Sequence, residues 1–159
     1  MDMTIRQAGT LDVPALRRFE QGIIEAERAF DPTIRDGPIL YYDIEGMLAA
    51  DNVHFVVAQS GAATVGCGYA RIEPAQHFLR HAVHGYLGGM YVDPAHRGHS
   101  VNRLIIAALG DWCRSRHVAE LRLEVYGGNH SAVRAYEKAG FTPFMLEMRC
   151  ALGGLTRAG

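Results

Sequence analysis

The stretch "HRGHSVNRLIIAALGDW", His96 to Trp112, decides how the rest of the chain is read. Val101, Leu104, Ile105, Ala108, Leu109, Trp112 and Cys113 recur at helical spacing, with Asn102, Arg103, Arg114 and Arg116 off that stripe. This pattern predicts an amphipathic helix over 100–116. The first turn of a helix carries backbone N–H groups without partners and a partial positive charge. Arg97 adds a fixed cation beside that end, so anions favour the place. Phosphate loops depend on glycine, which permits positive φ and close backbone approach. Here Gly98 is the only glycine between His96 and Ile105. The residues alone leave two readings: a phosphate cradle built with substitutes for glycine, or an ordinary helix capped by Ser100.

Composition narrows the class. A chain of 159 residues, 48% hydrophobic and 21% charged, fits one globular domain over 1–159 with a sizeable core. Residues 152–159 read as a frayed tail. A net charge of -1 lacks the basic excess of a nucleic-acid binder, so no nucleic acid is expected as a partner. Lys138 is the only lysine, so no Gly-Lys-Ser/Thr phosphate loop exists and the common nucleoside-triphosphatase class is excluded. Cys67, Cys113 and Cys150 lie far apart, offer no Cys-x-x-Cys pair and suit a reducing compartment. The start, residues 1–7, lacks the features of a secretory leader, and no apolar run reaches membrane-spanning length. A cytoplasmic protein without membrane contact is expected.

Along the chain, Thr4–Gln7 reads as a strand. Thr10 then caps a helix over Leu11–Arg28, with Pro14 in its first turn. "FDPTIRDGPILYYD" (30–43) is a loop and 44–50 a short helix. Strands 53–59 and 64–72 form a hairpin through Ser60-Gly61, and strand 87–92 follows a His-rich connector. Gly88-Gly89 inside that strand predicts a bulge or a close approach by another group. "ELRLEVYG" (120–127) alternates as a strand, "NHSAVRAYEKAG" (129–140) is a capped helix ending at Gly140, and 144–152 is a last strand. The order gives a mixed α/β fold: an antiparallel meander, then one parallel βαβ unit over 87–126. A right-handed crossover places the first turn of helix 100–116 beyond the C-terminal end of strand 87–92, where ligands favour binding.

"MYVDPAHRGHSVNRLI" (90–105) resembles the acyl-CoA loop of the GNAT N-acetyltransferase superfamily, Gln/Arg-x-x-Gly-x-Gly/Ala after a strand and opening a helix. Arg97 fits the first position, while Ser100 and Asn102 occupy the two small-residue positions. "NHSAVRAYEKAGF" independently fits Asn-x-x-Ala-x-x-x-Tyr-x-x-x-Gly-Phe at Asn129, Ala132, Tyr136, Gly140 and Phe141. The two matches span Met90 to Phe141, and the chain is identified as a member of that superfamily. The resemblance implies the GNAT fold, a central, mostly antiparallel sheet whose single parallel βαβ unit forms the acyl-CoA site. It implies an N-acetyltransferase that takes acetyl-CoA as cosubstrate and an amine as acceptor, the amine of a small molecule or peptide attacking the thioester directly. No metal is implied, and a homodimer is admitted. Met90, Tyr91 and Val92 would present main chain to the pantetheine, a form of strand addition. Arg97, Gly98, His99, Ser100, Val101 and Asn102 would hold the pyrophosphate. Asn129, Ala132 and Tyr136 would lie toward the thioester. If residue 100 takes positive φ, serine costs about 1 kcal/mol there, offset in part if Ser100 and Asn102 donate to phosphate oxygens.

The reaction needs a base for the ammonium and an acid for the departing thiolate. Tyr136 is the expected acid. Glu124 is the expected base, because it precedes Tyr136 at a spacing similar to the glutamate–tyrosine pair of ribosomal-protein N-terminal acetyltransferases. Glu73 or an ordered water chain are alternatives. Plainer roles exist for each: Asn129 as a helix cap, Tyr136 as core, Glu124 as a solvated strand residue. His77, His81 and His84 share i, i+4, i+7 spacing, yet no carboxylate or cysteine accompanies them, so the stretch reads as an exposed connector rimming the acceptor site. Two other classes compete: a non-catalytic acyl-CoA-binding or sensing module with a degenerate loop, and a small zinc hydrolase built on the histidines. Asp31, Asp36 and Asp43 would attract a cationic acceptor, whereas Arg35 would hold a carboxylate.

Overall fold

Alternation along β2 (Val53–Ser60) and β3 (Ala63–Pro74) sends successive side chains to opposite sides of a sheet, and both sides are covered. The computed structural model describes residues 2–159. Its five-stranded sheet has the order β1-β2-β3-β4-β5, completed by β1 (Met3–Gln7), β4 (Val83–Val92) and β5 (Leu121–Arg122). Neighbours pair antiparallel as far as β4, and β4 pairs parallel with β5. One face sets Phe55, Val57, Cys67 and Tyr69 against Leu16 and Phe19 of α1 (Val13–Arg28) and Ile44 of α2 (Ile44–Ala49). The other sets Val56, Ala58, Val65 and Leu87 against Val101, Ile105, Leu109 and Cys113 of α3 (Val101–Ser115). α4 (His130–Lys138) brings Tyr136 to the α3 side. The chain order β4-α3-β5 is the expected βαβ unit.

Several boundaries differ from those the sequence suggests. Thr10 does not cap α1: Thr10–Asp12 form a 3-10 turn, and the Asp12 carboxylate accepts from the Gly9 N–H at 2.8 Å. Arg6 forks onto the same carboxylate at 2.8 Å to each oxygen, while Leu11 is turned out to solvent. β4 begins at Val83 because its ladder with β3 continues through Ile72↔Gly85, Glu73↔His84 and Pro74↔Val83.

The largest difference lies at the β5 edge. Only Leu121 and Arg122 pair with β4, where 120–127 was expected, and 144–152 forms no strand. The cause is in β4. Gly89 has φ +60°, and the β3–β4 register shifts between Cys67 and Tyr69, the bulge expected of Gly88-Gly89. A Cβ on Gly88 would run into the Tyr69 hydroxyl, so the bulge requires glycine there. Beyond the bulge β4 leaves β5, and the chain after Arg122 has no ladder to join. A lone strand is not stable in water. Phe144, Met145, Leu146 and Met148 accordingly stand 79–84% exposed.

A buried carboxylate holds the long connection between α1 and α2. Glu20 is 1% exposed, and its Oε1 accepts the backbone N–H groups of Tyr41 and Tyr42 at 2.7 and 2.8 Å. Arg17 donates to Glu20 at 3.2 Å, to the Tyr42 carbonyl at 2.9 Å and to Glu45 at 2.7 Å. Glu20→Ala would leave two amides without their acceptor and take from Arg17 one of its three. The expected cost is about 3 kcal/mol, typical of breaking a buried pair, seen as a lower urea midpoint. Glu20→Gln, which keeps an acceptor oxygen, should lose less. Wild-type stability in Glu20→Ala would remove this carboxylate from its structural role.

Candidate active site

The loop that opens α3 follows a 3-10 turn, Pro94–His96. Ser100, directly before the helix, has φ 62° and ψ 13°, and its side chain makes no cap hydrogen bond. Gly98 is also left-handed, at φ +80°. Leu104 is the first helical residue to bond back, its N–H reaching the Ser100 carbonyl at 3.1 Å. The amides of Val101, Asn102 and Arg103 therefore precede the helix ladder and point out of its start. Ser100 is thus not a side-chain cap. It holds a backbone conformation that glycine adopts freely and that costs other residues roughly 1–2 kcal/mol. Arg97 is exposed, and its Nε donates to the Val92 carbonyl at 3.2 Å. His99 is exposed with Nδ1 3.0 Å from the Arg97 carbonyl. Val101 is buried in the α3 core, and Asn102 is half-buried.

The loop adjoins an unpaired strand edge. The Asp93 N–H reaches Val65 of β3 at 2.8 Å. Alternation back along the antiparallel ladder points the main chain of Tyr91 at β3 and that of Met90 and Val92 away from it. Among the described residues, β4 has no partner on that side past Tyr86↔Arg122. The side chains divide likewise: Met90 packs on the α3 side, and the Tyr91 ring stacks on Phe19 of α1 at 4.9 Å.

Two elements flank this gap. In α4, Asn129 Oδ1 accepts from the Ala132 N–H at 3.2 Å and caps the helix, with Ala132 half-buried in its first turn. Tyr136 lies on the α3 side, edge-on to Phe141 at 5.9 Å, and burial raises its phenol. On the β5 extension, Leu121 and Leu123 also face the α3 core, which turns Glu124 to the opposite face. Glu124 is exposed there, two residues past the last rung. Burial and then the charge of Glu124 push the Tyr86 phenol up to about 12. The candidate acid and base therefore lie toward opposite faces of the sheet.

The Glu124 face has an aromatic floor that the sequence did not single out. Tyr42 meets Tyr69 edge-on at 5.6 Å, and the Arg71 guanidinium lies over Tyr69 and Tyr86 at 5.8 and 5.4 Å. The alternation of β3 and β4 is its only sequence signal. Arg71 also binds Glu73 at 2.6 and 2.8 Å, so Glu73 is already engaged by a cation. The acidic residues of the α1–α2 connection are engaged too. Asp43 caps α2 through the Gly46 N–H at 3.2 Å, and Asp36 lies 3.9 Å from Arg28. Asp31 accepts from the N–H and hydroxyl of Thr33, which draw its carboxyl down to about 2, and from Tyr126 and Arg149 at 3.3 and 3.2 Å. Arg35 accepts at its carbonyl from Arg28 at 2.7 Å. Of the connector histidines, His77 lies against Phe78, while His81 and His84 meet at 5.9 Å between ring centres.

Comparison with known proteins agrees with this fold. The model of the acetyltransferase (GNAT) family matches residues 21–141. An IAA acetyltransferase of Azospirillum brasilense is 28% identical over 94 residues, 59% of this chain and 58% of that protein. The chain spans about half the length of the curated relatives it matches. Among solved structures, the tetramutant of a Bacillus halodurans protein superposes with a TM-score of 0.82 at 21% identity, covering 94% of this chain and 99% of the other. A protein of Clostridium acetobutylicum, described as a predicted acetyltransferase with acetyl-CoA, gives 0.72 at 17% identity over 95% of this chain and 97% of that one. At these identities the superpositions show the fold.

The left-handed Ser100 yields a direct test. Ser100→Gly should stabilise the protein by about 1 kcal/mol, because the strain at positive φ disappears, and thermal unfolding would register a higher midpoint. A fall in Tm would mean that the hydroxyl stabilises the loop more than the backbone strains it.

Proposed function

The chain belongs to the acetyltransferase (GNAT) family, and on that premise we propose that it transfers an acetyl group from acetyl-CoA to a primary amine of a small molecule or peptide. One observation carries the reading: a left-handed turn at Gly98 and Ser100 places the free amides of α3 beside the unpaired edge of β4. Helix amides and an arginine suit a pyrophosphate. The outward main chain of Met90 and Val92 suits the two amides of a pantetheine arm, which would add to the sheet edge as a strand does. The Val92 carbonyl would exchange Arg97 for that partner, freeing the guanidinium for phosphate.

Bound acetyl-CoA supplies the activated acetyl group for direct attack by the amine. The chain's own residues bind, orient and move protons. Glu124 takes the proton of the incoming ammonium, on the face where the Arg71 guanidinium already covers the rings of Tyr69 and Tyr86. Glu124 is favoured over Glu73 as base because Arg71 holds Glu73 as an ion pair. Tyr136 approaches from the other face and donates its proton to the leaving thiolate. Burial raises its phenol, which keeps the group protonated at neutral pH. The reading includes a homodimer, supported by the unpaired, apolar 144–148 segment, whose backbone would gain partners from a second copy. Sedimentation showing a monomer at all concentrations would exclude it.

Acceptor profiling with labelled acetyl-CoA tests the activity itself; CoA binding without acetylation of any amine would favour the binding-module reading. Arg97→Ala should weaken CoA binding by about 1–3 kcal/mol, the range for a charge-assisted hydrogen bond, and calorimetry giving unchanged affinity would take Arg97 out of the site. Tyr136→Phe keeps the ring packing and should lower kcat about 10²-fold with CoA affinity nearly intact. Glu124→Gln should remove the low-pH rise of the pH–rate profile, because a base works only when ionised. A wild-type rate in the first variant, or an unchanged profile in the second, would reassign that role.

A further inference from the structure

At the far end of β4 from the loop, a second cluster of chemically capable groups comes together. His81 lies in the β3–β4 connector, His84 in the first turn of ladder of β4, and Glu120 immediately before β5. One ligand atom from each lies within 4.8 Å of the other two. His81 Nε2 is 3.8 Å from Glu120 Oε1. Two ligand atoms bound at about 2.1 Å to a tetrahedral zinc ion stand about 3.4 Å apart, so small side-chain adjustments would close the set. His81 Nε2 and His84 Nδ1 are both shut off from solvent and have no hydrogen-bond partner among the described residues. Buried imidazole nitrogens normally find one.

We propose that His81 Nε2, His84 Nδ1 and the Glu120 carboxylate bind one divalent cation of the zinc class, clamping the start of β5 to the β3–β4 hairpin. Two imidazoles and a carboxylate are a zinc donor set, with a fourth position left for water. The surroundings are those of a metal site. His84 Nε2 stands 3.7 Å from Glu73 Oε2, the place of the outer carboxylate that fixes a ligating histidine. Arg71 in turn holds Glu73 through the other oxygen at 2.6 Å. Arg122 donates to Glu120 Oε1 at 2.5 Å, and the carboxylate keeps further lone pairs for a cation.

The location gives the ion a task. His84 and Glu120 immediately precede Gly85 and Leu121, the first of the two rungs that join β4 to β5. A parallel ladder of two rungs is weak, and an ion bridging its start would hold it closed while the far end stays open. The site lies eight residues along β4 from Val92, about 26 Å at strand rise. It is therefore separate from the acyl-CoA loop.

The test uses the full chain, stripped with a chelator and titrated with Zn²⁺ by calorimetry, beside His81→Ala and Glu120→Gln. His81 is partly exposed in a connector, so its truncation leaves the core intact. The account expects one Zn²⁺ per wild-type chain, at least tenfold weaker binding in both variants, and a Zn²⁺-induced rise in Tm in the wild type alone. Hydrogen exchange should slow at the Gly85 amide, which donates to the Glu120 carbonyl at 2.9 Å. Absence of wild-type binding, or equal binding in wild type and His81→Ala, would overturn the proposal. If Glu120→Gln does not fold, the His81→Ala comparison decides alone.

Discussion

The structure depends on the point where β4 stops pairing with β5. Parallel strands in a sheet normally continue side by side, and here they part after Gly85↔Leu121 and Tyr86↔Arg122. The bulge at Gly88-Gly89 enforces the separation, because Gly89 takes a left-handed backbone and Tyr69 fills the space a side chain at Gly88 would need. Unpaired main chain is costly when nothing replaces the lost partner. A fold that keeps such an edge, and lays a helix start at its end, suits a ligand that can act as a strand. The proposed acyl-CoA site rests on that unpaired edge more than on any one side chain.

In the proposed mechanism, the same separation would let groups reach a thioester from two sides. Tyr136 comes from the α3 face and Glu124 from the α1 face. Neither would meet the other through a closed sheet. The α1 face is kept in shape by a different device, the buried Glu20, which fastens the backbone of Tyr41 and Tyr42 and so holds the Tyr42 ring against Tyr69. A carboxylate inside the protein is tolerated because two backbone amides and Arg17 satisfy it.

Much of this was legible in the sequence, for physical reasons that can be named. The stripe on α3 repeats at a strict helical period, and Gly88-Gly89 in a strand has few uses besides a bulge. Ser100 was legible only as a condition: a substituted glycine position says that positive φ is required if the loop is kept, and the backbone at 62° meets that condition. Residues whose role depends on distant partners were not legible. The 144–152 segment has the composition of a strand, but a strand exists only where an edge receives it. Asp31 and Asp43 carry charge that suits an acceptor site, yet neighbouring hydroxyl and amide donors engage them. Glu120 joins His81 and His84 only through the fold, since strand pairing brings together groups that spacing cannot. Tyr69 and Tyr86 were hidden among ordinary core alternation.

Hydrogen exchange on the full chain, with and without CoA, tests the central claim most directly, because it reads the main chain itself. If the edge of β4 is the pantetheine slot and the start of α3 the phosphate site, CoA should slow exchange at Met90 and Val92 and at Val101, Asn102 and Arg103. Tyr91, already directed at β3, should change little. Protection confined to other segments, or no protection at Met90 and Val92 under saturating CoA, would contradict the account.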